Sequence, residues 1–148
     1  MLYITGSLPI PPAPKDETIR PICRKVEITC ESHDQGWSSY PNDKGTYRNS
    51  WTWGEVSVLI PKQDTYLHDP TVEIGDQVIE KEPKIRYRVY TNRHADSNWQ
   101  IHNFVFNSDH PLVRDLQPGY MVGLWIRSQY PGWINYVKRA ELKLYYSV

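Results

Sequence analysis

The sequence predicts a mainly β domain: an antiparallel β-sandwich of jelly-roll type with seven or eight strands and one short helical turn. The aromatic set of 6 Trp and 11 Tyr against 2 Phe suits pleated, half-buried surfaces. The 12 Pro interrupt the chain too often for long helices. Short segments of alternating apolar and polar residues, separated by turn formers, recur along the 148 residues, a length that indicates one domain.

The first 21 residues are predicted to form a proline-rich arm, so that the sandwich covers residues 22–148. The stretch LPIPPAPKDETIRP, 8–21, favours extended or polyproline chain. We interpret it as a linker or an arm lying across the domain. A proline-rich ligand for the aromatic groove of another protein is the alternative.

Two strands flanking a long loop begin the predicted sandwich. The first covers residues 22–31, where apolar residues share one parity: Ile22, Val26, Ile28 and Cys30. The loop, 32–50, is rich in turn formers and also contains Trp37, Tyr40 and Tyr47. The second strand covers residues 51–60 and places one set of side chains on a single face: Thr52, Val56, Val58 and Ile60. A loop this long in a compact domain is usually functional or internally packed.

The remaining chain continues the strand pattern. Further strands are predicted over residues 71–79, 84–91, 99–106, 120–128 and 137–146. In the strand over 84–91, Arg86, Arg88 and Tyr90 are expected to share the solvent face. Residues 108–116 predict a helical turn, with Ser108 or Asp109 as its cap.

Charge and cysteine content limit the classes of function. The 17 basic and 17 acidic residues leave no cationic surplus for nucleic-acid phosphates. No apolar run approaches the roughly 20 residues of a membrane span, and the N-terminus lacks the pattern of a signal peptide, which favours a cytoplasmic protein. Cys23 and Cys30 lie about 23 Å apart along one extended strand, so free thiols are expected.

Two motif-rich stretches support a resemblance. The sequence DQGWSSYP…GTYRNSWTWGEVSV, from Asp34 to Val58, resembles a fungal group of largely uncharacterised domains. So does HPLVRDLQPGYMVGLWIRSQYPGWINYVKRAEL, from His110 to Leu142. The pattern is also similar to galactose-binding-like β-sandwiches. The resemblance implies the fold and brings no catalytic residue, and Gly54 stands where members of the group often have an aromatic residue.

The first candidate site is the Trp37 loop. Aromatic faces pack against the C–H surfaces of sugars, and polar neighbours bind their hydroxyls. The candidate ligand-binding residues here are Asp34, Gln35, Trp37, Tyr40, Arg48, Asn49, Trp51 and Trp53. The alternative is that the three indoles fold back onto the sheet and belong to the core.

The second candidate site is the segment TNRHADSNWQ, 91–100. Loops at the end of a sandwich often carry binding groups, and this one offers Arg93, His94 and Asn98. A solvated hairpin is the alternative.

The third candidate site surrounds the YPGW turn, 130–133. Tyr130, Trp133 and Tyr136 would anchor a protein partner if they are exposed, because Trp and Tyr dominate interface energetics. The alternative is a turn whose indole packs beneath a neighbouring loop.

Metal and enzyme signals are weaker. Asp34, Asn42 and Asp43 would have to converge to hold calcium, and the histidines are dispersed: His33, His68, His94, His102 and His110. No zinc-ligand pairing, nucleophile elbow or phosphate loop is present. We therefore expect a non-catalytic module that binds carbohydrate without a cofactor. A protein-interaction adaptor is the alternative, and an enzyme with an unrecognised site is the third option.

Overall fold

The computed structural model describes residues 1–10, 20–60 and 85–148. In these residues the strands are β1 (Leu2–Ser7), β2 (Ile22–His33), β3 (Thr52–Leu59), β4 (Tyr87–Thr91), β5 (Gln100–Asn107), β6 (Met121–Ser128) and β7 (Tyr136–Ser147). They form a four-stranded sheet, β1-β6-β3-β4, and a three-stranded sheet, β5-β2-β7. All pairs are antiparallel. A mainly β antiparallel sandwich is therefore confirmed, while the predicted strand over 71–79 lies outside the described residues.

The core lies between the two sheets. Val26 and Ile28 of β2 are buried against Val56 of β3 and Val122 and Leu124 of β6. The alternation predicted for β2 is thus confirmed from Val26 onward as the pattern of a strand with one face in the core. The finer jelly-roll, galactose-binding-like type stays a prediction.

The N-terminal residues correct the predicted arm. Leu2–Ser7 pairs with β6 at the edge of the four-stranded sheet. Leu8 is fully buried, donates its N–H to the Tyr120 carbonyl (3.0 Å) and accepts the Gly119 N–H (2.8 Å). Residues 2–8 therefore belong to the sandwich, because β6 supplies the distant pairing partner. Residues 11–19 of the predicted arm lie outside the described part.

A β-bulge in β2 corrects the face assigned to its first residues. The pairing of β2 with β7 shifts register between Cys23 and Lys25. As a result Cys23 is buried, whereas Ile22, predicted to face the core, is 52% exposed. The prediction of free thiols is confirmed, since Cys23 and Cys30 are both free and buried.

A second bulge separates Tyr90 from the arginines with which it was predicted to share a face. The register shifts so that Gly54 lies opposite Tyr90 and Glu55 opposite Arg88. The extra residue, Val89, reverses the alternation. Tyr90 consequently turns into the core, while the Arg88 guanidinium lies 4.6 Å from the ring centre of Trp53 on the outer face.

The Tyr90 ring occupies the space above Gly54, and we expect Gly54→Ala to destabilise the fold. A β-carbon built at Gly54 would lie 2.1 Å from Cε1 of Tyr90. Overpacking of this kind costs about 2 kcal/mol, measurable as a lower free energy of unfolding in urea. In a Tyr90→Leu background the same substitution should cost much less. An equal loss in both backgrounds would contradict this packing.

A short helix, α1 (Pro111–Arg114), precedes β6 and buries Leu112 and Val113. The helical turn was predicted, but its cap is His110, whose Nδ1 accepts the Leu112 N–H at 3.1 Å. Ser108 and Asp109 precede the capping position, because the extended residue before the first turn is His110. Within the described residues no helix has the length and apolar character needed to cross a membrane.

Candidate functional site

Three loops meet at one end of the sandwich, because β2, β4 and β6 end there and β3, β5 and β7 begin there. We call residues 34–51, 92–99 and 129–135 the loop end. Backbone hydrogen bonds join the first two loops. The Gly45 N–H donates to the His94 carbonyl (2.7 Å), and the His94 N–H donates to the Thr46 carbonyl (2.6 Å). The third loop is joined to the first by the Ile134 N–H, which donates a hydrogen bond to Gln35 Oε1 (3.2 Å). The loops that carry the three candidate sites therefore meet at one end of the sandwich.

Asp34 holds two of these loops together. Its fully buried carboxylate accepts the backbone N–H groups of Gly36 (2.8 Å), Ala95 (2.5 Å) and Asp96 (3.0 Å). Burial raises the pKa of Asp34, and the three donors act in the opposite direction. The structure thus corrects its predicted role: Asp34 supports the loops from within and has no exposed surface for a ligand.

His94 is a second internal support. Its fully buried ring donates Nδ1–H to the Asn49 carbonyl at 2.8 Å, which leaves Nε2 to accept the Ser38 hydroxyl. The ring also meets Trp133 edge-on, with 5.2 Å between ring centres. His94 was predicted to contact ligand, but burial excludes direct contact and assigns it to the packing of the loops.

Two asparagines that the sequence analysis missed complete the support. Asn92, fully buried at the end of β4, accepts the Ser32 hydroxyl (2.6 Å) and donates to Thr52 Oγ1 (3.0 Å). It also donates to Asn135 Oδ1 (3.0 Å), and Asn135 in turn donates to the Trp53 carbonyl (3.0 Å). The available signal was an amide residue directly after a strand, which is common in turns. These bonds link both sheets beneath the loop end.

Exposed aromatic rings lie above this support. Trp37 is 60% exposed, Tyr40 58% and Tyr130 55%, and we call these three residues the aromatic platform. The Trp37 indole lies over the YPGW turn, where a β-carbon built at Gly132 would be 3.0 Å from Cη2. Gln35 fixes the loop by donating to the Trp37 carbonyl at 2.7 Å. The core alternative is therefore wrong for Trp37.

The other two tryptophans of the first candidate are partly buried. Trp51 meets Tyr130 edge-on, with 5.1 Å between ring centres, and so lies beneath the platform. Trp53 donates Nε1–H to Glu55 at 3.0 Å on the outer face of the four-stranded sheet. Trp53 is therefore separated from the platform, which corrects its grouping with Trp37.

Backbone strain also concentrates at the loop end. Among the described residues, positive φ outside glycine occurs at Asn49 (50°), Ala95 (51°) and Tyr130 (71°), one in each loop. A bulky residue in this region is a conformational outlier. Strain of this type costs about 1–3 kcal/mol and clusters at functional sites. Each of the three loops therefore contains one such position.

The predicted polar ligands of the loops are paired with loop acids. Arg48 and Asn49 both bind Asp43, at 3.2 and 2.7 Å. Arg93 pairs with Asp96 at 3.2 Å, and Asn98 donates to the same carboxylate at 2.9 Å. These side chains shape the loops, and a ligand would have to compete for them.

Calcium would have to compete with protein donors at the loop acids. The carboxylates of Asp34 and Asp43 are bound by protein donors and face different partners. In the part of the chain that the structure describes, no group of three or more His, Cys, Asp or Glu side chains could hold a metal ion. A calcium site formed by Asp34, Asn42 and Asp43 with loop carbonyls stays a prediction.

The third candidate site is divided by the fold. Tyr130 belongs to the platform, whereas Trp133 packs inward on His94. Tyr136 stacks on His33, with 5.0 Å between ring centres, and His33 meets Trp99 at 4.3 Å. Tyr136 therefore belongs with Trp99, an exposed indole that the sequence analysis did not select.

His102 of β5 makes folding sensitive to acid. Burial and, secondarily, the Arg93 charge lower the pKa of His102 to about 4 from 6.5. Above pH 6.5 the imidazole is neutral in both states, but between pH 6.5 and 4 only the unfolded chain takes up the proton. We expect this residue to reduce the free energy of unfolding by about 3 kcal/mol as the pH falls through that window.

Urea denaturation from pH 7 to 4 tests this expectation. His102→Gln keeps a donor for Asn92 Oδ1, which lies 3.2 Å from Nε2, and should show a shallower loss of stability. Groups that titrate in both proteins cancel in the comparison. Parallel pH profiles would contradict the assignment.

No protein-family model matches the chain, and searches of curated proteins and of solved structures return no significant match. The resemblance to fungal domains and to galactose-binding-like sandwiches therefore stays a prediction from the sequence.

Proposed function

We propose that this chain is a module that recognises carbohydrate through the aromatic platform of its loop end. The observation that carries the proposal is the exposed Trp37 indole, which lies over Gly132 while Gln35 binds the backbone carbonyl of Trp37. Indole and phenol rings offer large apolar faces beside polar groups, the mixture that ligand sites require.

The rigidity of the support favours this function. Asp34, His94 and Asn92 are buried and hydrogen-bonded beneath the platform. A ligand that binds a prearranged surface pays little for ordering loops and side chains. The strained backbone at Tyr130 is consistent with a ring that is held in place for contact.

A protein partner is the second candidate. Ile134 and Tyr130 are both exposed near Trp37, and an apolar patch with aromatic anchors is typical of protein interfaces. Of these two kinds of ligand, the exposed Trp37 ring favours carbohydrate. The absence of catalytic function and a cytoplasmic location stay predictions.

A glycan array tests the proposal, with the labelled protein applied once with calcium and once with chelator. Selective binding to related glycans in both conditions is the expected result. Loss of binding with chelator would mean that a cation contributes to the site. Absence of binding to any glycan would contradict the proposal and favour the protein partner.

A further inference from the structure

A groove of about 490 Å³ lies between β4 and β5, which are the edge strands of the two sheets in the described part of the chain. Among the described strands no hydrogen-bonded pairing joins the two sheets along this side. The volume falls within the range of small-molecule sites. Its lining includes Tyr47, Tyr90, Thr91, Ile101, His102 and Asn103.

Rings form much of the groove wall. The His102 imidazole stacks on Tyr90, with 4.4 Å between ring centres and 12° between planes. Tyr90 is itself fixed over Gly54. Tyr47, which is 64% exposed, contributes a second aromatic wall from the same loop as Trp37. Tyr47 therefore presents the exposed ring of the groove, and the stacked pair Tyr90 and His102 forms its backing.

The polar groups of the groove are neutral. Asn103 accepts the Thr29 hydroxyl through Oδ1 at 2.9 Å, and among the hydrogen bonds of the described residues its amide nitrogen makes none. Thr91 adds a hydroxyl, which accepts from the Arg88 guanidinium at 3.5 Å; that guanidinium lies over the Trp53 ring on the outer face. His102 is uncharged at physiological pH because its pKa lies at about 4. Arg93, the charge that acts on His102, is paired with Asp96.

We propose that this groove is a second sugar-binding subsite that takes a neutral saccharide ring, with Tyr47 as the stacking residue and Asn103 as a hydroxyl ligand. The choice of a sugar as the ligand rests on the proposed function, whereas the position of the subsite rests on the volume and lining of the groove. Among the described residues that line the groove, no side chain carries a positive charge to compensate a carboxylate or sulfate, and leaving such a group unpaired is costly. The groove should therefore discriminate against charged sugars.

Isothermal titration with defined trisaccharides tests the subsite. The probes are maltotriose, cellotriose and N,N′,N″-triacetylchitotriose, with lactose and 3′-sialyllactose as a neutral and charged pair. For any neutral probe that binds, Tyr47→Ala and Asn103→Ala should each weaken affinity about tenfold. Tyr47→Phe should bind as the original protein does, because it keeps the ring.

Tyr145→Ala is the matched control. Tyr145 is also an exposed tyrosine, but it lies on the outer face of the three-stranded sheet, where its hydroxyl donates to Glu27 at 2.9 Å. Its removal should leave affinity unchanged. Because Tyr47 is largely exposed, the alanine variant should fold, which circular dichroism verifies.

The outcomes separate the two proposals. If a neutral trisaccharide binds and Trp37→Ala abolishes binding while Tyr47→Ala and Asn103→Ala do not weaken it, the groove proposal is overturned and the proposed function stands. Tighter binding of sialyllactose than of lactose would overturn the neutral specificity. If no saccharide binds in these titrations or on the array, both proposals fall.

Discussion

Asp34→Ala is expected to lower the free energy of unfolding by about 4 kcal/mol. The substitution leaves three backbone N–H groups, those of Gly36, Ala95 and Asp96, without their acceptor. A buried donor without a partner costs about 1–3 kcal/mol. Urea denaturation followed by fluorescence measures the loss. Because Asp34 connects two loops, ligand binding should also be lost when the variant is assayed below its melting temperature.

Two further variants control this prediction. Asp34→Asn retains one acceptor oxygen but turns an amide nitrogen toward backbone donors, so an intermediate loss is expected. Asp109→Ala removes an exposed aspartate and should change stability by less than about 0.5 kcal/mol. A loss below about 1 kcal/mol for Asp34→Ala would show that the carboxylate does not hold the loops.

Trp37→Ala is expected to abolish carbohydrate binding while the melting temperature falls little. Because the indole is mostly exposed, its removal costs little core packing, but it takes away the largest ring of the platform. Titration with the best glycan of the array and a thermal melt measure the two effects. Trp99→Ala, which removes an exposed indole outside the platform, should retain binding.

The balance between the two effects is decisive for Trp37. Truncation of a buried tryptophan costs about 3–5 kcal/mol. A loss of that size, together with retained binding, would mean that Trp37 serves the fold. Unchanged stability together with unchanged binding would show that Trp37 is not part of the binding site.

The fold could be predicted where side-chain alternation reports burial directly. In β2, Val26, Ile28 and Cys30 are buried at alternate positions, as the sequence pattern predicts. The pattern fails at bulges, because an extra residue reverses the alternation and depends on the partner strand. Ile22 and Tyr90 were misplaced for this reason.

The site could be predicted only in part. Trp37 was selected because a long aromatic loop is unusual, and it is exposed. Asp34 and His94 were selected as polar loop residues, yet both are buried, since their partners come from other loops. The groove pairs Tyr47 with His102, residues distant in sequence. Contacts of this kind arise from tertiary packing, which no local pattern encodes.

The most direct test of recognition at the loop end is a titration of the isotope-labelled protein with the best glycan of the array, followed by amide and indole NMR signals. We expect the signals of the Trp37 indole and of the Tyr40 and Tyr130 amides to shift progressively as glycan is added. Signals of the outer faces of both sheets should remain in place. Shifts confined to those faces, with the platform unchanged, would contradict carbohydrate recognition at the loop end.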